Sequence, residues 1–161
     1  MVDNLHAYWR VDYVERAKSE EDPFTCDEDT SADGERLILF RSRHSFAIMN
    51  KYPYNPGHLM VIPFRAVSDM DELCKEERED FFIAMLKAQS MLKKALSPDG
   101  FNIGMNIGSA AGAGIPQHLH CHIVPRWNGD TNFMPVVANT KVLSQSQRTM
   151  FERLMAFVNI V

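Results

Sequence analysis

Three histidines stand two residues apart in Gln117-His118-Leu119-His120-Cys121-His122-Ile123-Val124. This alternation constrains the fold more than any other stretch of the chain. A β-strand repeats its side-chain direction every second residue, so His118, His120 and His122 share one face. Leu119, Cys121 and Ile123 then face the opposite way, toward a core. A helix would scatter the same positions around its axis. Pro125 is expected to end the strand, because it has no N–H for a ladder.

Three imidazoles on one pleated face suit two chemistries. In one they hold a catalytic zinc with a water in the fourth position. In the other a single imidazole is a nucleophile, and its neighbours fix its tautomer and hold the substrate. Spacing alone leaves both open. The preceding stretch, Asn106-Ile107-Gly108-Ser109-Ala110-Ala111-Gly112-Ala113-Gly114-Ile115-Pro116, adds a second signal. Small residues leave backbone N–H groups open, and such turns form anion-binding nests. A phosphate cradle running into a histidine strand favours attack on phosphorus.

His118-Leu119-His120-Cys121-His122-Ile123-Val124 resembles the His-φ-His-φ-His-φ-φ signature of the histidine triad superfamily. Asn55-Pro56-Gly57-His58-Leu59-Met60-Val61-Ile62-Pro63 is similar to that family's Pro-Gly-His strand. Pro125-Arg126-Trp127-Asn128-Gly129-Asp130 is similar to the fragile-histidine-triad and diadenosine tetraphosphate phosphorylase-like branch. The resemblance implies an α+β fold: a sheet of about five antiparallel strands, one long helix on a face and a C-terminal helix. It implies a homodimer, and an adenine nucleotide or dinucleoside polyphosphate as substrate. His120 would attack the α-phosphorus and form a nucleotidyl-histidine. His122 and Asn106 would hold phosphate oxygens, His118 would orient the other two histidines, and His58 would support the first of them. Asn50, eight residues before His58, takes the family's ribose-binding position, flanked by Met49 and Lys51. The amides of Gly112, Ala113, Gly114 and Ile115 would stabilise the anion, with Gln117 beside them.

Departures from the family pattern matter too. Many relatives carry Cys-x-x-Cys near the N-terminus to help bind a structural zinc; this chain reads Pro23-Phe24-Thr25-Cys26. Cys26, His58 and His118 would supply only three ligands, so no metal and no other cofactor is expected. A loop one residue longer than in the phosphoramidase branch favours the phosphorylase-like branch. The alternatives are a nucleoside phosphoramidate or adenylate hydrolase, a non-enzymatic nucleotide-binding adaptor, and a zinc hydrolase.

The remainder reads as a frame for this site. The chain has 161 residues, 45% of them hydrophobic, enough for one domain with one core. Its regions are an N-terminal segment and acidic loop (1–35), the domain proper (36–135) and a C-terminal extension (136–161). The net charge of −4 argues against broad nucleic-acid binding. No apolar run is long enough for a membrane, and no signal peptide is evident. Three scattered cysteines suggest reduced thiols and the cytoplasm. Tyr8, Trp9, Tyr13 and Val14 suggest a docked N-terminal segment, and His6 reads as surface. Residues 19–35 read as a solvated acidic loop. Strands are expected over 36–41, 46–50, 58–62 and 101–106, with His44 solvent-facing in the first turn. A helix is expected from Lys75 to Leu96, with Phe82, Met85, Leu86, Gln89, Leu92 and Leu96 against the sheet. A last helix over 144–161 would bury Phe151, Leu154, Val158 and Val161. Trp127 is expected near a dimer seam or the ligand base.

Overall fold

Five strands pair in the order β1-β2-β3-β5-β4, every neighbour antiparallel. They are β1 (Ile38–Arg41), β2 (Ser45–Met49), β3 (Leu59–Pro63), β4 (Gly100–Met105) and β5 (Cys121–Arg126). The computed structural model describes residues 22–26, 28–131, 133, 137 and 143–160. The aromatic segment around Trp9, with His6, and Val161 lie outside the described residues. Among the described residues the sheet is accompanied by a single turn α1 (Asp33–Arg36), the long α2 (Lys75–Leu96) and α3 (Gln147–Met155). The fold is the α+β architecture expected from the sequence.

The long helix has the expected bounds. Cys74 and Glu77 form a capping box at its start, and Glu77 reaches back to accept from the Cys74 backbone N–H at 2.8 Å. Hydrogen bonds from Arg65 then hold the Glu77 carboxyl down at about 2. Ser97 closes the helix in a left-handed conformation (φ 47°), and Pro98 prevents continuation. Asp80 accepts from Ser42 Oγ (2.7 Å) and from the backbone N–H of Arg43 and His44, fixing the β1–β2 turn to the helix. His44 is therefore half-buried rather than solvent-facing, and its Nε2 is enclosed.

The buried stripe of α2 differs from the expected one. Glu77, Phe81, Ala84, Ala88, Met91, Leu92 and Ala95 face inward, whereas Phe82 is 57% and Leu86 50% exposed. The alanines bring the helix close to a sheet already filled by Leu39, Ala47, Leu59, Val61, Cys121 and Ile123. Hydrophobicity alone had favoured the larger residues on the neighbouring face.

The opposite face of the sheet is covered as well. Ile38, Phe46, Ile48, Met60 and Ile62 pack there with Phe24 and Ile115. This explains why β2 and β3 are buried at every position. A bulge between Ile38 and Phe40 rotates β1, so that Leu39 and Phe40 join one cluster while Ile38 joins the other.

Two prolines sit inside strands. Pro63 pairs with Ser45 at the end of β3. Pro125 does not end β5; it pairs with Phe101, and the strand runs on to Arg126. Its carbonyl accepts from Asn55 Nδ2 at 2.9 Å, on the side that β3 has not yet reached. The missing N–H lies on that same side, so no ladder bond is lost.

The turn before β3 requires glycine. Gly57 has φ +75°, and a Cβ there would stand 2.5 Å from Leu96 Cδ1. The chain passes close beneath the end of α2, and an added Cβ would push the Leu96 side chain aside. This turn delivers His58 to the sheet.

Helix α3 is shorter than expected, with Ser146 Oγ accepting from Thr149 N–H as its cap. Met150, Phe151 and Leu154 are buried against the main core, and Val158 follows in a turn.

Candidate active site

His118 and His120 lie on the approach to β5, and only His122 is within the strand. Each imidazole has a different set of partners. His118 is 1% exposed; its Nε2–H donates to Pro63 O at 2.7 Å, and its Nδ1 lies 2.5 Å from Asp22 Oδ2. His120 Nδ1–H donates to the backbone carbonyl of His118 at 2.8 Å. A carbonyl can only accept, so the proton of neutral His120 sits on Nδ1 and Nε2 carries the lone pair.

The third histidine has the opposite polarity. Tyr54 N–H donates to His58 Nδ1 at 3.1 Å, so the proton of a neutral His58 is on Nε2. His58 Nε2 lies 2.9 Å from His122 Nδ1 and donates to it. His122 must then carry its own proton on Nε2. The amide nitrogen of Asn50 also lies 3.5 Å from His58 Nε2, but it has a second contact at Met60 Sδ, 3.4 Å away. The backbone N–H of Tyr54 cannot accept, and it decides the tautomer. The row thus offers a lone pair at His120 beside a donor at His122, their rings edge to face at 5.1 Å.

Burial pushes the His120 imidazole below the ordinary histidine range. The hydrogen bond to the His118 carbonyl pulls it partly back, adjacent His118 pushes it down, and Asp22 pulls it up. The neutral, nucleophilic form is therefore favoured. Cys121 is no rival: it is buried in the α2-side core, which raises its thiol to about 11.

His120 and His122 line a cavity of about 140 Å³. Phe24, Met60 and Ile115 give it an apolar wall, while Asn50, Lys51 and Tyr52 stand at its rim. Asn106, Gly112 and Gly114 close the loop side. That loop makes one 3₁₀ turn (Ser109–Ala111), with Gly108 and Gly112 at positive φ. A second, larger and more open cavity of about 530 Å³, with polar and apolar lining in about equal parts, includes His122 and Arg126 among its walls. Tyr54, Asn106 and His122 line both cavities.

Most of the residues singled out in the sequence converge here, with clear exceptions. Met49 is buried on the α2 side of the sheet, away from the cavity, because it alternates with Ile48 along β2. Gln117 is exposed and, like Ala113, does not line the cavity. His58 supports His122, the third histidine, and not the first, because β3 pairs Met60 with His122 and the ring at 58 reaches forward to it. His118 acts on its neighbours through its backbone carbonyl rather than its ring. Trp127 lines a separate cavity with Pro56, Leu96 and Arg153 and does not line the one at the histidines. Cys26, His58 and His118 do not form a ligand set, and no cluster of three metal-binding side chains occurs among the described residues.

Three participants were not anticipated. The acidic loop is not simply solvated: Asp22 binds His118, and Phe24 packs on both His118 and His120 at ring distances of 5.7 and 5.2 Å. Tyr54 stacks on His58 at 4.7 Å. No local pattern marks Asp22, which is 96 residues from its partner.

The HIT domain profile matches residues 33–129. An AP-4-A phosphorylase of Mycobacterium tuberculosis is 37% identical over 157 residues, covering 91% of this chain and 80% of that protein. A bis(5'-nucleosyl)-tetraphosphatase (asymmetrical) of Schizosaccharomyces pombe is 39% identical over 93 residues, or 58% of this chain and 50% of its own. Among solved structures, the C. elegans NitFhit protein superposes with a TM-score of 0.63 at 31% identity, covering 78% of this chain and 27% of that one. With the histidine row inside the matched span and over a third of residues shared across nine-tenths of its length, the chain belongs to the HIT domain family.

Proposed function

We propose that this protein cleaves dinucleoside polyphosphates of the diadenosine tetraphosphate type through a nucleotidyl-histidine intermediate. The observation that carries the reading is the paired tautomers, a lone pair on His120 Nε2 beside a proton on His122 Nε2. His120 Nε2 forms a bond to the α-phosphorus, and the bond from that phosphorus to its bridging oxygen breaks. With diadenosine tetraphosphate the leaving group is ATP, and AMP stays on His120. Water then releases AMP, or inorganic phosphate releases ADP. His122 Nε2–H and Asn106 hold the non-bridging oxygens as charge grows there. The Gly112–Gly114 backbone borders the same space.

Two cavities that share His122 as lining suit a substrate with two nucleoside ends. The apolar wall of Phe24, Met60 and Ile115 would take the base of the retained nucleotide, with Asn50 at its ribose. The larger, more open cavity would take the departing half. Similarity to the M. tuberculosis AP-4-A phosphorylase across 91% of the chain supports the substrate class and favours phosphate as acceptor.

We also infer a homodimer. Phe82 and Ile83 of α2 and Ile103 of β4 are exposed apolar residues, and β4 is an edge strand. Sedimentation velocity tests this. For location, no helix among the described residues is long and apolar enough to cross a membrane. No disulfide forms among the described residues, which agrees with a reducing compartment such as the cytoplasm.

Product analysis with diadenosine tetraphosphate decides the acceptor. ADP with ATP, formed only when inorganic phosphate is added, is the expected result. AMP with ATP regardless of phosphate would establish hydrolysis, and no turnover of this substrate would overturn the reading.

A further inference from the structure

The turn Asp22–Thr25 reaches the histidine row from the far end of the chain. One carboxylate makes both of its key contacts. Asp22 Oδ1 accepts from Phe24 N–H at 2.9 Å, shaping the turn. Asp22 Oδ2 meets His118 Nδ1 at 2.5 Å. Both ring nitrogens of His118 face oxygen atoms, so a proton lies between Nδ1 and Oδ2 in a charge-assisted bond. Arg36 grips the turn from outside, donating to Thr25 O at 2.8 Å. Phe24, 7% exposed, is thereby pressed on the His120 ring and becomes the wall of the smaller cavity.

We propose that Asp22 is a positioning residue, which pins the Pro23–Phe24 wall onto the histidine row and so sets nucleotide affinity. The inference rests on reading the smaller cavity as the nucleotide site. The division of labour follows from the anchors. His118 keeps a second anchor at Pro63 O when Asp22 is lost, so the carbonyl that fixes His120 stays in place. Without Asp22, Phe24 is left to its ring packing on the histidines and to the Arg36 contact with Thr25, which fix its position less tightly than the carboxylate does. Loss of Asp22 therefore falls mainly on binding, and less on the chemical step.

The test compares Asp22→Ala, Asp22→Asn and Asp22→Glu with the parent chain, using AMP as the probe in titration calorimetry. Truncating a part-buried, charge-assisted contact should weaken AMP binding about tenfold in Asp22→Ala. Asn can fill only one of the two acceptor roles and should fall between. Glu keeps the charge and should recover most of the affinity. In turnover, KM should rise by a similar factor while kcat changes less than about threefold. Proton NMR supplies a readout that needs no nucleotide: a downfield, exchange-protected N–H resonance from His118 Nδ1, present in the parent and lost in Asp22→Ala. Unchanged AMP affinity in Asp22→Ala, or a loss confined to kcat, would overturn the proposal. So would a His118 resonance indifferent to the substitution. If Asp22→Ala fails to fold, Asp22→Asn and Asp22→Glu carry the same comparison. AMP binding requires no nucleotidyl transfer, so failure of the His120 chemistry would leave this result standing, and the reverse.

Discussion

Replacing His58 by Phe should cost catalysis through a tautomer. His58 is fully buried, receives Tyr54 N–H on Nδ1 and donates from Nε2 to His122 at 2.9 Å. Phenylalanine keeps the ring and its stacking surface against Tyr54 but has no donor. His122 Nδ1 then loses the proton it accepts from His58, and that contact no longer holds the His122 proton on Nε2. The tautomer with a lone pair at Nε2 becomes competitive, and that lone pair faces a phosphate oxygen. Removing one such oriented donor costs about 10² to 10³ in kcat, or about 3–4 kcal/mol. The substitution also orphans the Tyr54 N–H, at about 1–3 kcal/mol of stability, so the folded fraction must be checked by circular dichroism. His58→Gln is the matched control, because its amide nitrogen reaches roughly where Nε2 lies and can donate to His122. We expect kcat to fall about 100-fold in His58→Phe and less than about tenfold in His58→Gln, with KM nearly constant in both. The diagnostic is a double-mutant cycle with His122→Phe: the two losses should be strongly non-additive. Equal kcat in the Phe and Gln variants, or additive losses, would refute the relay.

Two further outcomes follow from the same coordinates. Because burial lowers the His120 imidazole, its neutral form persists to lower pH than that of a free histidine. The acid limb of kcat/KM should therefore fall below about pH 6.5, and a limb above that value would contradict the placement of His120. Gly57→Ala should lose about 2–3 kcal/mol in urea denaturation, from the left-handed backbone and the 2.5 Å approach to Leu96 Cδ1; an unchanged midpoint would show that the turn relaxes freely.

Much of this architecture could be read from residue spacing. The alternation around His120 brings His120 and His122 together, and the helix expected over Lys75–Leu96 has the observed bounds. The two-faced burial of β2 and β3 was harder to foresee, because its second cover comes from Phe24 and Ile115, in loops with no periodic signal. Phe82 and Leu86 misled the helix reading for a physical reason: hydrophobicity marks surfaces that leave water, whether for a core or for a partner. Side-chain pairing was least legible. The choice of His122 over His118 as the partner of His58 depends on the β3–β5 register, and Asp22 reaches His118 across 96 residues. His44 is half-buried because Asp80, on a helix distant in sequence, draws its turn inward, which no local pattern marks.

The central claim is a bond between phosphorus and His120 Nε2. Rapid acid-free quenching during turnover of diadenosine tetraphosphate, followed by intact mass and peptide mapping, reads that bond directly. The account predicts one adenylyl group per active site, mapped to His120, and none in His120→Gly. An adenylyl group on any other residue, or full turnover by His120→Gly, would contradict it.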